Sequence, residues 1–219
     1  MSITKSQRRK IRLTALGLSL LALLVVVMFV RQFMNPEHLD PQWLQLHGTV
    51  LFDTPRSFDT LQLRDQNDQP FDGAAFRGSW SVVFFGFTFC PDVCPTTLSL
   101  LGEVQKMLKP ATDGRAPLAF YMVSVDPARD TPAQLKPYLE HFGSEFTGLT
   151  GDFPDIHRFA TQLNIPFRKA VLDDANYSVD HSANLVLINP RGHYAGYMTP
   201  PFDKERMVRV LELLRTRGS

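Results

Sequence analysis

The sequence predicts an α/β domain carried behind one N-terminal transmembrane helix. Three observations predict it: a charge-free run over residues 13–30, two buried-type apolar strands each followed by a helical pattern, and a late β-hairpin leading into a final helix. A length of 219 residues suits one domain of ordinary size with a full apolar core. A hydrophobic content of 44% excludes a disordered chain, and a total of two cysteines excludes a disulfide scaffold. The formal net charge of +1 gives no general electrostatic case for nucleic-acid binding, and no nucleic-acid partner is expected.

The charge is unevenly spread. Residues 1–12 hold Lys5, Arg8, Arg9, Lys10 and Arg12 and no acid, leaving 18 basic against 22 acidic residues in the remainder. The run 13–30 lies between Arg12 and Arg31 and spans roughly 27 Å as a helix, close to the hydrocarbon thickness of a bilayer. It ends in bulky Met28, Phe29 and Val30 without a small-x-small site, so an uncleaved anchor is favoured over a cleaved signal. No cysteine lies near its end to take a lipid. Five positive charges before the span against one just after it place the N-terminus in the cytoplasm and the domain outside, in the periplasm. The organisation expected is a cytoplasmic basic tail over 1–12, an anchor over 13–30, a stalk over 31–48 and a folded domain over 49–219.

Strand-like pieces occur around 49–52 and 60–63, the second followed by the turn-rich 65–70. Residues 80–87 form a near-continuous apolar run, as in a strand buried on both faces. It leads into Cys90-Pro-Asp-Val-Cys94-Pro95, after which Leu98, Leu101, Val104 and Leu108 keep helical spacing. A second buried strand spans 118–125, and a helix starts near Thr131, where Thr131-Pro-Ala-Gln134 has capping-box form. Another helix covers about 155–163. Strands over 184–188 and 193–198 are joined by Asn189-Pro-Arg-Gly192, and Met207, Val210, Leu211 and Leu214 stripe a last helix. This order is that of a thioredoxin-like α/β fold, and the extra early strands and longer middle bring it nearer the peroxiredoxin variety.

Cys90 and Cys94 lie at i and i+4 where a buried strand gives way to a helix N-terminus, a place whose dipole favours thiolate and should lower the thiol pKa. Such a pair can close a disulfide, exchange disulfides with a partner or clasp a soft metal. A purely structural disulfide is the weakest of these, since so short a ring contributes only about 2 kcal/mol. Thioredoxin-type exchange normally uses one residue fewer between the thiols. His181 precedes the strand that begins near 184, and in thioredoxin-like folds that segment passes beside the cysteine helix. A lone histidine is more often a hydrogen-bonded residue than a ligand; this one is well placed for either. His38, His47, His141, His157 and His193 fall in the stalk, in helices or in a turn. Two thiolates and an imidazole suit Cu(I), and with a further oxygen ligand Cu(II). Zinc in a structural site would want a fourth firm ligand, and none is evident.

The stretches FFGFTFCPDVCPTTL (84–98), SVDPARDTP (124–132) and VDHSA (179–183), in that order, closely resemble the Sco/SenC family of membrane-anchored copper chaperones over roughly residues 47–215. The resemblance implies that Cys90, Cys94 and His181 bind copper, as Cu(I), Cu(II) or both. It also implies a role in assembling the CuA centre of cytochrome c oxidase, with that enzyme's copper-binding subunit as partner. Another copper chaperone or a thioredoxin-like reductant would act alongside. The alternative is a thiol–disulfide oxidoreductase in which Cys90 and Cys94 are catalytic and reduce the acceptor's cysteines; a thiol peroxidase is less well matched. Asp130, Thr131 and Pro132 read first as a helix cap, with Asp126 or Asp130 near the metal as the other reading. Asp173 and Asp174 read as a solvated loop before His181.

Overall fold

In the computed structural model, residues 5–34, 40–108, 110, 116–143, 145–171 and 177–216 are described. The chain divides into two units, residues 1–40 and 41–219. The first holds α1 (Lys5–Met34), within which Ile11–Phe29 is long and apolar enough to cross a membrane. The second begins earlier than the expected boundary at 49. Part of the stretch read as a stalk forms the short helix α2 (Pro41–Leu46), whose Leu44 is buried.

Among the described residues ten strands follow: β1 (Thr49–Arg56), β2 (Leu63–Asp65), β3 (Pro70–Phe71), β4 (Trp80–Gly86), β5 (Leu118–Ser124), β6 (Phe146–Gly151), β7 (Phe167–Val171), β8 (Tyr177–His181), β9 (Leu185–Ile188) and β10 (Tyr194–Met198). Between and after them lie α3 (Val93–Met107), α4 (Pro132–Glu140), α5 (Phe153–Gln162) and α6 (Lys204–Thr216). The main sheet has the order β1-β10-β9-β4-β5-β6-β2-β3. Strands β4, β5 and β6 run parallel through the crossover helices α3 and α4, while β9 and β10 form the antiparallel hairpin on the other side of β4. This is the thioredoxin-like arrangement, with early strands added at both edges.

Strand β4 is buried at every position because helices or aromatic clusters cover both of its faces. The two-residue period sends neighbouring phenylalanines to opposite sides. Phe85 meets Phe159 of α5 in a cluster with Phe58, Phe76 and Tyr121, and Phe84 meets His181. Leu98, Leu101 and Val104 bury one stripe of α3, which packs against α6. The Asn189–Gly192 turn closes as expected, with the Gly192 amide donating to the Asn189 carbonyl.

The early strand expected at 60–63 lies instead at 63–65, where Leu63 and Arg64 pair with both β3 and β6. Three strands had no clear period in the sequence. In β6, the glycines at 148 and 151 leave a side-chain position empty on each face; a Cβ on Gly148 would meet Leu139 of α4 at 2.5 Å. Strands β7 and β8 form a separate two-stranded sheet, mostly half-exposed, without the apolar run that marks a buried strand. The acidic loop expected at Asp173 and Asp174 lies outside the described residues.

Candidate metal centre

The site sits where β4 ends. Gly86 closes the strand, residues 87–92 form a loop, and α3 begins at Val93. Pro95 occupies the first turn, where a missing N–H breaks no helical bond. Asp92 is the N-cap residue, yet its side chain caps nothing. The sulfur of Cys90 takes that part, accepting from the Cys94 amide at 3.4 Å. Cys90 is half-buried and Cys94 fully buried, and both are free thiols.

His181 ends β8 and brings its Nε2 to 3.4 Å from Cys94 Sγ. Its Nδ1 lies 3.0 Å from the Ser182 carbonyl, which can only accept, so Nδ1 carries the proton and Nε2 presents a lone pair. Phe84 and Phe87 meet the imidazole edge-to-face, with ring centroids 5.9 and 6.0 Å away. One candidate ligand atom from each of Cys90, Cys94 and His181 lies within 4.8 Å of the others. Two sulfurs on one ion at the zinc–thiolate length of about 2.3 Å stand at most about 4.6 Å apart, so small side-chain rotations bring all three atoms onto a single ion. The chemistry of two sulfurs and one imidazole favours a soft ion such as Cu(I).

One expectation is corrected here. The helix N-terminus should favour thiolate at both cysteines, but burial pushes the Cys94 thiol pKa up, and a backbone hydrogen bond from Phe87 only partly opposes it. Desolvation of a fully buried sulfur exceeds the reach of one helix end. Burial also lowers the His181 pKa, against the opposing bond to Ser182, which keeps the ring neutral and its lone pair free.

The 124–132 loop serves both readings at once. Thr131 is the N-cap of α4, its side chain accepting from the Gln134 amide. Asp130 caps nothing. Its carboxylate accepts from the Thr88 amide at 3.0 Å, the Thr88 hydroxyl at 2.6 Å and the Ser124 hydroxyl at 2.7 Å, pinning the loop two residues before Cys90. Asp126 pairs with Arg129 and accepts from the Tyr177 hydroxyl at 2.9 Å, on the strand that carries His181. Neither carboxylate joins the ligand cluster.

Three residues went unnoticed in the sequence. A Cβ on Gly86 would stand 2.6 Å from Phe84 Cε1 and 3.0 Å from Cys94 Sγ, so glycine makes room for the sulfur. The Tyr138 hydroxyl is buried without a hydrogen-bond partner among the described residues, and burial raises its pKa, with charge on Cys94, Cys90 and Asp130 adding to the rise. Arg129 stacks on Tyr177. An orphan hydroxyl, a stacked guanidinium and a steric need for glycine are properties of the folded arrangement, and no residue spacing announces them.

The SCO1/SenC family model matches residues 54–215. A protein of Stutzerimonas stutzeri named for copper binding is 42% identical over 164 residues, 75% of this chain and 79% of its own. The SCO2-like protein RC0895 of Rickettsia conorii is 37% identical over 153 residues, 69% of this chain and 73% of its own. Among solved structures, Bradyrhizobium japonicum ScoI with copper bound superposes with a TM-score of 0.63 at 32% identity, covering 74% of this chain and 99% of that one. Yeast Sco1 with copper bound gives 0.64 at 30% identity, covering 72% and 87%.

Proposed function

The chain belongs to the SCO1/SenC family, and from that premise we propose that it is a membrane-anchored copper chaperone. It takes one copper on Cys90, Cys94 and His181 and passes it to the copper-binding subunit of cytochrome c oxidase during assembly of the CuA centre. The observation that carries this reading is the convergence of two sulfurs and an unprotonated imidazole nitrogen within 4.8 Å, drawn from two segments 87 residues apart. The copper-bound structures of similar chains support copper as the cargo.

Loading releases the protons of whichever thiols are protonated, Cys94 foremost, as the sulfurs bind the ion. Two thiolates suffice for Cu(I); the imidazole adds the nitrogen that Cu(II) favours. Unloading is ligand exchange with the acceptor's own thiols, and Cys90, the more exposed sulfur, is the first to be replaced. A Cys90–Cys94 disulfide could not hold the ion, so redox state gates loading. Residues 1–12 stay in the cytoplasm, 13–30 span the inner membrane, and the folded domain works in the periplasm at the end of a tether within 31–48.

A second reading is favoured by the unequal exposure of the two thiols. Cys90 as thiolate attacks an acceptor disulfide and forms a mixed disulfide. Cys94 then attacks Cys90, two electrons pass to the acceptor, and the Cys90–Cys94 disulfide is left for a thioredoxin-like reductant to reopen.

The test uses the unit from Pro41 to Ser219, reduced and free of oxygen, titrated with copper. One copper per chain is expected, with loss of tight binding in Cys90→Ser and Cys94→Ser. Unchanged binding in Cys94→Ser would overturn the site. The loaded protein is then offered to a reduced, copper-free acceptor domain, and the metal-free protein to the oxidised acceptor. Metal transfer in the first supports delivery; reduction in the second without transfer in the first supports the oxidoreductase.

A further inference from the structure

Arg129 touches both halves of the site without belonging to it. Its guanidinium carbon lies 3.8 Å from the ring centroid of Tyr177, on β8, and 4.8 and 5.7 Å from those of Phe89 and Phe87, in the cysteine loop. Nη1 donates to the Tyr177 carbonyl at 3.2 Å, and Nε pairs with Asp126, whose other oxygen receives the Tyr177 hydroxyl. The stack is closed from a second side by Lys169, its Nζ 3.6 Å from the Tyr177 ring centroid. An Arg–Asp pair formed only for surface charge would need none of these aromatic faces or the backbone bond.

The attachment matters because of what it attaches. Among the described residues, the β7–β8 hairpin forms its own sheet and shares no strand ladder with the main one. His181 is carried at the end of β8, whereas Cys90 and Cys94 are carried by β4 and α3. The chain returns to the main sheet four residues after His181, at Leu185 paired with Phe84, so the backbone at the end of β8 is held by the fold. What side-chain contacts across the gap add is the seating of the rest of the hairpin, and with it the aim of the imidazole at Cys94. Asp130 holds the cysteine loop through Thr88 and is itself held by the Ser124 hydroxyl at the end of β5, the Asp126 amide donates to that same hydroxyl at 3.0 Å, and Arg129 reaches from there to Tyr177. One seven-residue loop, 124–130, thus ties the sulfur side to the imidazole side.

We propose that Arg129 is a positioning residue, a latch that seats the His181 hairpin over the cysteine pair and so sets how strongly the site discriminates Cu(II) from Cu(I). The proposal rests on the copper reading above. With the latch engaged, the ion has two sulfurs and a nitrogen. With it broken, the hairpin lifts and two sulfurs remain, enough for Cu(I) in linear geometry and poor for Cu(II). Lysine cannot replace it, since an ammonium lacks both the flat face and the fork that meet Tyr177 and Asp126 together.

The experiment compares wild type, Arg129→Gln, Arg129→Lys and Tyr177→Ala in the full chain, solubilised in detergent. In the metal-free proteins, hydrogen–deuterium exchange of residues 167–171 and 177–181 is expected to speed at least about tenfold in all three variants, with β4 and β5 unchanged, as for a locally opened segment. With copper, Cu(II) affinity should fall about 10–100-fold, the range for loss of an outer-shell partner, while Cu(I) affinity stays within about threefold. The thiolate-to-Cu(II) absorption band should shift as nitrogen is lost. Normal exchange with a wild-type Cu(II) spectrum in Arg129→Gln and Tyr177→Ala would overturn the latch, as would full rescue by Arg129→Lys. Equal loss of Cu(I) and Cu(II) would assign Arg129 to general folding and overturn it too. If wild type itself takes up no copper, the copper reading fails, and the exchange data still decide whether Arg129 holds the hairpin.

Discussion

His181 directs Nε2 at the buried sulfur of Cys94, 3.4 Å away, while its Nδ1 is held by the Ser182 carbonyl. Either ring nitrogen of a free histidine could carry the proton. Here the backbone chooses, so the nitrogen facing the sulfurs is the one with a lone pair. Burial reinforces the choice by disfavouring the imidazolium. A metal entering the site meets an imidazole already in its ligating form and has a proton to displace only at sulfur.

Replacing His181 by Ala should therefore cost Cu(II) much more than Cu(I). Cu(II) affinity is expected to fall by more than about 100-fold, beyond the range for loss of an outer-shell partner, while the two sulfurs keep Cu(I). Competition titrations against chelators of each ion measure this. Equal weakening of both ions would mean that the imidazole serves the fold and is no ligand.

The two thiols should behave unequally. Cys94 is buried and its pKa is raised by burial, whereas Cys90 is partly open to solvent. Iodoacetamide at pH 8 should alkylate Cys90 more than about ten times faster than Cys94 in the metal-free protein. The sign of the linked stability follows. A thiol whose folded pKa exceeds its unfolded value of about 8.5 adds stability that is complete below that pH and is lost as pH rises through the folded value. Urea unfolding above pH 8.5 should thus fall more steeply for wild type than for Cys94→Ala. Peptide mapping that found Cys94 modified first would contradict both statements.

Much of this centre was legible in the sequence, because its chemistry is carried by rare residue types. Two cysteines four apart at the mouth of a helix, and a histidine just before a buried strand, stand out without any contact map. The buried strands β4, β5 and β9 were legible for a related reason: covering both faces makes a continuous apolar run. Strands β7 and β8 are half-exposed and leave no such trace, so the hairpin that carries His181 emerged only with the fold. The lowered Cys94 pKa expected from its place near a helix start was an argument from one neighbour. Burial is a sum over all neighbours, and it reversed the sign.

Gly86 is where the strand makes room for sulfur. Gly86→Ala would put a methyl 3.0 Å from Cys94 Sγ and 2.6 Å from the buried Phe84 ring, neither of which can swing clear into solvent. A loss of about 1–3 kcal/mol, typical of an overpacked core, is expected in urea unfolding, together with weaker copper binding. Retention of both would mean that β4 shifts to absorb the methyl.

The basic tail and the apolar helix predict topology. The full chain should remain in the membrane pellet after alkaline carbonate washing, while residues 41–219 alone should not. Alkaline phosphatase fused after Ser219 should be active, because five positive charges precede the span and hold the N-terminus inside. Release by carbonate, or an inactive fusion, would remove the periplasmic placement.

Asp130 gives the last prediction, and its sign is opposite to that of an ordinary paired carboxylate. Burial raises its pKa, and hydrogen bonds from Thr88 and Ser124 pull it back only partly. Its folded pKa therefore lies above the unfolded value of about 3.9. The linked stability is complete below that value and is lost as pH rises through the folded pKa. Asp130→Asn cannot titrate and can still accept from the Thr88 amide, so wild type should lose stability relative to Asp130→Asn as pH rises above about 4. Asp130→Ala is the harsher change. It leaves the Thr88 amide and two hydroxyls without their acceptor, at a cost of about 2–4 kcal/mol, and frees the loop ahead of Cys90. Urea unfolding of the three proteins at pH 4, 5.5 and 7 decides it. A wild type that gains on Asp130→Asn as pH rises would mean that the donors outweigh burial, making the carboxylate an electrostatic asset at neutral pH and not the tolerated cost of anchoring the cysteine loop.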